Sequence, residues 1–374
     1  MDKRSSAKNP WTIVLLILVL SCAIAYGFAS LATKLVAPES FGRTKTLQIA
    51  NLQDLQTTAD GFVYYDGSTV SSIDSDGDVR WSYLVGADAG FSATDYGVAT
   101  WVGKTITLID GKSGSTTYNG NMAENVLSAH IGNQYTAILT GSETDSTIVL
   151  MESGGKQVSQ IILEDVSAVD YGFFSNGSLL WVMVCDSNGT VPTCNIQTYR
   201  PGKEIVGSIH DNEQLAYAVM FQANQVLVAG DTYLKTYDYT GTEDKAQRKL
   251  VYGWYLASVD ESSADPLMAL VNDAQYSGQS AIQDVRLLRS NLDRTVRLPF
   301  GCMDVVARGN TIYGFAADGH LVMISTDESS PRAYQLNMGI DKVYGDRRWR
   351  CHSGQRRRDL HGGPGGRPLI RNNL

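Results

Sequence analysis

From about residue 45 onward the chain alternates short β-branched and aromatic runs with turn dipeptides. In GFVYYDGSTVSSIDSDGDVRWSYLVG, which starts at Gly61, three such runs are separated by turns at Asp66-Gly67 and Asp76-Gly77. Asp-Gly supplies the positive φ that tight hairpins need, so this stretch predicts a three-strand meander. The layout returns in ATWVGKTITLIDGKSGSTTY and in YTAILTGSETDSTIVLMESGGKQVSQIIL, and again in four later segments. Aligning the second turn of each unit gives Asp74, Asp110, Glu152, Arg200, Asp238, Ser290 and Asp327. These positions recur at roughly 40 residues, the period of a four-stranded propeller blade. One meander cannot bury both of its faces, so the units must stack around a shared axis. The pattern predicts an all-β chain, a β-propeller of seven to eight blades over residues 45–345. A long β-sandwich fits the strands but not the period.

Ahead of the repeats the pattern changes. Residues 1–10 are polar and basic, and Trp11 to Thr33 carry no charge. At ~1.5 Å rise per residue such a run crosses a hydrocarbon core ~30 Å thick, which predicts a transmembrane helix over 11–33. Lys3, Arg4 and Lys8 precede it, and positive charge holds that end in the cytoplasm. The expectation is a single-pass cell-membrane protein with a cytoplasmic N-terminus, a linker over 34–44 and an extracytoplasmic propeller. Two processed alternatives stay open: cleavage at Ala23-Ile24-Ala25, or lipidation at Cys22 in Val19-Leu20-Ser21-Cys22. An oxidising exterior also alters the cysteines. Cys185 and Cys194 bracket the turn-rich DSNGTVPT, and a disulfide across the base of that hairpin competes with two unpaired thiols in adjacent strands. Asn176 and Asn188 match glycosylation acceptors, and Asn-Gly turns explain both equally well.

Asp74-Ser75-Asp76-Gly77-Asp78-Val79-Arg80-Trp81 resembles the blade repeat of pyrroloquinoline-quinone-type, WD40-like propellers, where Asp, Gly and Trp recur at fixed offsets. Asp110, Gly114 and Tyr118 repeat the layout with Tyr in place of Trp, and later copies lose the aromatic. The physical reading is that Gly makes the turn and the aromatic packs on the neighbouring blade. An anchor followed by a diverged propeller resembles an uncharacterised family of membrane-anchored β-propeller proteins of Gram-positive bacteria. That resemblance implies the fold and the anchor and brings no activity with it.

Candidate chemistry changes this picture little. Asp74, Asp76 and Asp78 have calcium-loop spacing, but Val85 stands where the loop needs an acid. GVATWVGKT has five residues between Gly97 and Gly103, one too many for a phosphate loop, and it leads into a strand. His130, His210 and His320 are scattered, with no paired spacing for zinc. No serine sits in a nucleophile elbow. The sequence therefore predicts no catalytic residues, no metal and no cofactor. Trp101, Trp181 and Trp254 read either as a binding face or as packing between blades.

Charge then sets the partner. The chain carries −8 overall, and residues 346–374 hold eight arginines against two aspartates, which leaves −14 on the rest. An acidic body excludes nucleic acid, because phosphate binding needs a basic face. The tail DRRWRCHSGQRRRDLHGGPGGRPLIRNNL lacks alternation where closing strands are expected, with TKTLQIAN from Thr44 as the N-terminal contribution. Read one base later, one permitted choice of codons gives ATAV, a turn and ETYTADL. We therefore read 346–374 as an aberrant basic tail, disordered or a frameshift product. Resequencing across codon 346 decides the point, because an intact frame rules the frameshift out. The functional expectation is a non-enzymatic scaffold, tethered to the membrane, with a protein or cell-envelope partner on a propeller face. The alternative is an extracytoplasmic enzyme, quinoprotein dehydrogenase-like or carbohydrate-active.

Overall fold

The structure, a computed structural model, describes residues 39–40, 47, 49 and 51–343, less 143–144, 165, 175–176, 187–192, 204, 223–224, 262 and 337. The expected transmembrane helix over 11–33, both glycosylation sequons' asparagines and the tail from 346 lie outside the described residues. Among those described, no helix is long and apolar enough to cross a membrane.

Seven antiparallel sheets follow one another along the chain, each made from four consecutive strands. They span residues 54–84, 90–121, 126–164, 167–211, 216–250, 254–302 and 304–335, here called blades 1 to 7. The first strands of blades 1 and 2, of blades 2 and 3 and of blades 6 and 7 touch one another, which places the first strand of a blade innermost. This is the β-propeller that the period predicted, with seven blades among the described residues. The seven aligned turns all fall between the third and fourth strands.

Burial follows strand position. In blades 3 and 5 the second strands are covered on both faces and read as near-continuous apolar runs, AILT in Tyr135–Gly141 and VLVAG in Gln225–Gly230. The fourth strands further out are more exposed, and strict alternation appears in Thr193–Tyr199 and over much of Leu292–Cys302. At the outer turns an aspartate organises the backbone. The Asp74 carboxylate accepts from the N–H groups of Asp76 and Asp78, and Asp238 does the same for Thr240 and Thr242. These bonds hold both carboxyls below the usual carboxylate range. The calcium-loop spacing is thus a self-satisfied turn, and no metal-ligating cluster occurs among the described residues.

The outer aromatics act as the repeat predicted. Trp81 is buried and its Nε1–H donates to the Gly111 carbonyl of blade 2 at 2.9 Å. Tyr118 of blade 2 packs on Gly155 of blade 3, where a Cβ would meet the ring at 2.0 Å. Six apolar cores join successive blades, from Val63, Phe91 and Val98 between blades 1 and 2 to Leu287, Val305 and Ile312 between blades 6 and 7. Among the described residues no such core joins blade 7 to blade 1. Blade 7 instead gains a fifth strand, Glu39–Ser40, parallel to its outermost strand Arg332–Gln335. The segment expected to supply an N-terminal closing strand, TKTLQIAN, lies largely outside the described residues. The observed pairing lies earlier in the chain, and blade 7 completes its own four strands without it.

Candidate functional site

One end of the propeller carries a row of aromatic side chains at blades 5 and 6, supplied by three separate parts of the chain. The inner strand of blade 5, Ala216–Gln222, bulges between Ala216 and Ala218, and the extra residue is Tyr217. A bulge re-aims its side chain, and the Tyr217 hydroxyl reaches blade 6, accepting from the Leu256 N–H at 3.0 Å. Tyr255 stands near the start of the inner strand Trp254–Asp260. Its ring centroid is 6.2 Å from that of Tyr217. The third member, Tyr276, ends the four-residue helix Asp273–Tyr276 inserted between the second and third strands of blade 6. Asn272 starts that helix by accepting from the Gln275 N–H at 3.2 Å, the usual cap for orphan donors at a helix start. Tyr276 stacks on Tyr255 with centroids 5.2 Å apart and planes 23° apart, inside the range aromatic pairs prefer.

Burial fixes the row from below. Tyr217 and Trp254 pack against the core between blades 5 and 6, and Tyr276 against the core between blades 6 and 7. Above it, Tyr252 is 76% exposed in the turn closed by the Trp254 N–H on the Val251 carbonyl. Gly253 at φ 78° gives that turn its left-handed residue. Two carboxylates flank the rings. Asp231 Oδ1 accepts from the Leu215 N–H and the Thr232 hydroxyl, and Asp273 is exposed at the helix start. Burial raises the Tyr255 phenol, and the negative charges of Asp273 and Asp231 raise it further. Burial raises Tyr217 in the same way.

A second concavity lies between the outer parts of blades 3 and 4, with a volume of about 400 Å³. Leu150, Ile161, Tyr199, Arg200, Lys203 and Ile205 line it, and the Gly202 N–H bridges the two blades by donating to Ser159 Oγ at 3.2 Å.

The tryptophans singled out in the sequence do not form one face. Trp181 is buried at 6% exposure between blades 4 and 5, with Phe174 and Phe221. Trp101 is half-buried over Gly90, where a Cβ would meet the indole at 2.3 Å. Trp254 precedes Tyr255 and packs against the core between blades 5 and 6. The histidines stay apart. His210 bonds Asn195 and Ser208 in blade 4, and His320 bonds Asp318 in blade 7. Gly97 to Thr105 form a β-hairpin, as expected for a failed phosphate loop. Sequence reasoning missed Tyr217, Tyr255 and Tyr276, because no local spacing links residues brought together by blade packing.

Cys185 and Cys194 are direct cross-strand partners in blade 4. Cys194 is buried, its Sγ donating to the Ala216 carbonyl at 3.4 Å, and its thiol is pushed up by the hydrogen bond with Cys185 and then by burial. Opposed antiparallel residues have Cα atoms ~4.5–5.5 Å apart, inside the window a disulfide spans.

No protein-family description matches the sequence, and no curated protein does. Solved structures do match. Sqt1 from Saccharomyces cerevisiae aligns with a TM-score of 0.53 at 9% identity, over 83% of this chain and 91% of that one. The C-terminal WD40 domain of Sif2 aligns with a TM-score of 0.52 at 13% identity, over 81% and 93%. The computationally designed Ika8 aligns with a TM-score of 0.51 at 11% identity, over 80% and 92%. At these identities the likeness is one of architecture, and the chain has the β-propeller fold of WD40-type domains.

Proposed function

We propose that the chain is a membrane-tethered, extracytoplasmic scaffold that holds a protein or cell-envelope partner on the propeller face bearing Tyr217, Tyr255 and Tyr276. The observation that carries this reading is the stacked, pre-packed aromatic row with exposed Tyr252 beside it. Rigid aromatics at a surface supply large contact area at little entropic cost, which is why they anchor interfaces. Tethering rests on the charge-free run from Trp11 to Thr33 and the basic residues before it.

The test is crosslinking in native membranes, comparing the wild-type chain with a Tyr252→Ala/Tyr276→Ala chain. A partner recovered with the first and lost with the second supports the reading. Equal recovery with both chains refutes the assigned face. Protease digestion of intact cells checks the topology: a propeller protected from external protease excludes the extracytoplasmic placement.

A further inference from the structure

We propose that the tyrosine row of blades 5 and 6, with Asp231 and Asp273, binds a cationic side chain presented by a basic peptide segment. This deepens the scaffold reading above and rests on it for the face involved. Three observations lead to it. Tyr217, Tyr255 and Tyr276 succeed one another at 6.2 and 5.2 Å, and the two outer members, Tyr217 and Tyr276, are packed from beneath by interblade cores. Their ring faces carry the negative lobe of the aromatic quadrupole, which attracts ammonium and guanidinium groups within ~6 Å.

The second observation is charge. Asp231 and Asp273 lie close enough to perturb Tyr255, and neither forms an ion pair among the described residues. Several nearby carboxylates are neutralised within the fold, Asp211 and Glu213 by Lys235, Glu243 by Arg248 and Asp293 by Arg286, so the two beside the rings keep their charge for a partner. Two unneutralised carboxylates beside the rings add a Coulombic attraction that a cation gains and a neutral ligand does not. Third, the chain outside the tail carries −14, so a basic segment is drawn towards this body and an acidic one repelled. Blade 5 already shows the same chemistry within the chain, where the Arg248 guanidinium lies 5.0 Å above the Tyr233 ring.

The test titrates the full-length chain with a capped hexapeptide of alternating Arg and Gly, and with its citrulline counterpart of nearly equal shape and no charge. The expected result is saturable binding of the arginine peptide, at least about tenfold weaker for the citrulline peptide and weakened further by added salt. Tyr276→Leu and Asp273→Asn should each weaken the arginine peptide by roughly two- to thirty-fold, the range of cation–π contacts from exposed to desolvated. Asp273→Asn is a surface change, and an unchanged melting temperature shows that its effect is not unfolding. Equal binding of both peptides, or no loss in Asp273→Asn, overturns the proposal. So does saturable binding of a chitin oligosaccharide with none of the arginine peptide. Partner capture that survives while the peptide fails leaves the scaffold reading standing and removes only this inference.

Discussion

Replacing Lys235 by methionine probes a buried ion pair of the propeller. The lysine side chain is 3% exposed and that of Asp211 is 1% exposed, with Nζ 2.8 Å from Asp211 Oδ1. Lys235 also reaches Glu213 Oε2 at 2.8 Å, and Asp211 Oδ2 accepts from Gln214 Nε2 at 2.9 Å. Methionine keeps the length of the stem and removes the charge, so Asp211 is left as a buried carboxylate with only neutral donors. Breaking a buried pair in this way costs about 3–5 kcal/mol. With an unfolding entropy near 2.1 cal/mol/K per residue over about 290 residues, that loss lowers Tm by roughly 5–8 °C. Calorimetry of the full chain at neutral pH reads it. The double variant Lys235→Met/Asp211→Leu removes both charges and should recover most of the loss, because an apolar pair of similar volume is often neutral or better. A single variant costing under about 1 kcal/mol, or a double variant no more stable than the single, would refute the reasoning. The pH dependence has a fixed sign. Burial opposes the Lys235 charge, but the hydrogen bonds to Asp211 and Glu213 prevail and its pKa is raised. A raised lysine contributes fully below its unfolded value near 10.4 and loses that contribution as pH rises through the folded value. Wild type should therefore lose more stability than Lys235→Met above about pH 10.

Three further outcomes are expected. Protein isolated without reductant should carry a Cys185–Cys194 disulfide closing about ten residues, worth roughly 2.5–3 kcal/mol on the chain-entropy estimate. Complete alkylation of both thiols in that preparation excludes it. Burial pushes Asp170, at the inner-strand bulge of blade 4, up to about 8. A raised carboxyl favours the folded state most below the unfolded value and loses that gain as pH rises towards 8, so Asp170→Asn should flatten the decline in Tm from pH 4 to 8. An unchanged slope contradicts this. Gly155→Ala should destabilise by about 1–3 kcal/mol, since its φ of 85° is left-handed and the new methyl meets the Tyr118 ring. Urea unfolding checks it, and Tyr118→Leu in the same chain should restore part of the loss.

Much of the architecture was legible because blades are local. Each meander pairs strands adjacent in sequence, and turns such as Asp74 to Asp78 are closed by their own aspartate. The period alone therefore predicted the propeller, and the Trp81 position predicted packing on the next blade. The expectation of a membrane segment over 11–33 rests on length and lack of charge alone, a signal that needs no tertiary contact. What the sequence left open was everything that depends on blade meeting blade. Trp101, Trp181 and Trp254 look alike in sequence, yet Trp181 is core, Trp101 covers a glycine and Trp254 flanks the core between blades 5 and 6. Tyr217, Tyr255 and Tyr276 lie far apart in the chain, and only the bulge at Ala216 to Ala218 and the inserted helix Asp273–Tyr276 bring their rings together. Strand pairing is decided between neighbours in sequence, whereas a surface is decided by which blade faces which, and that exists only once the ring has formed.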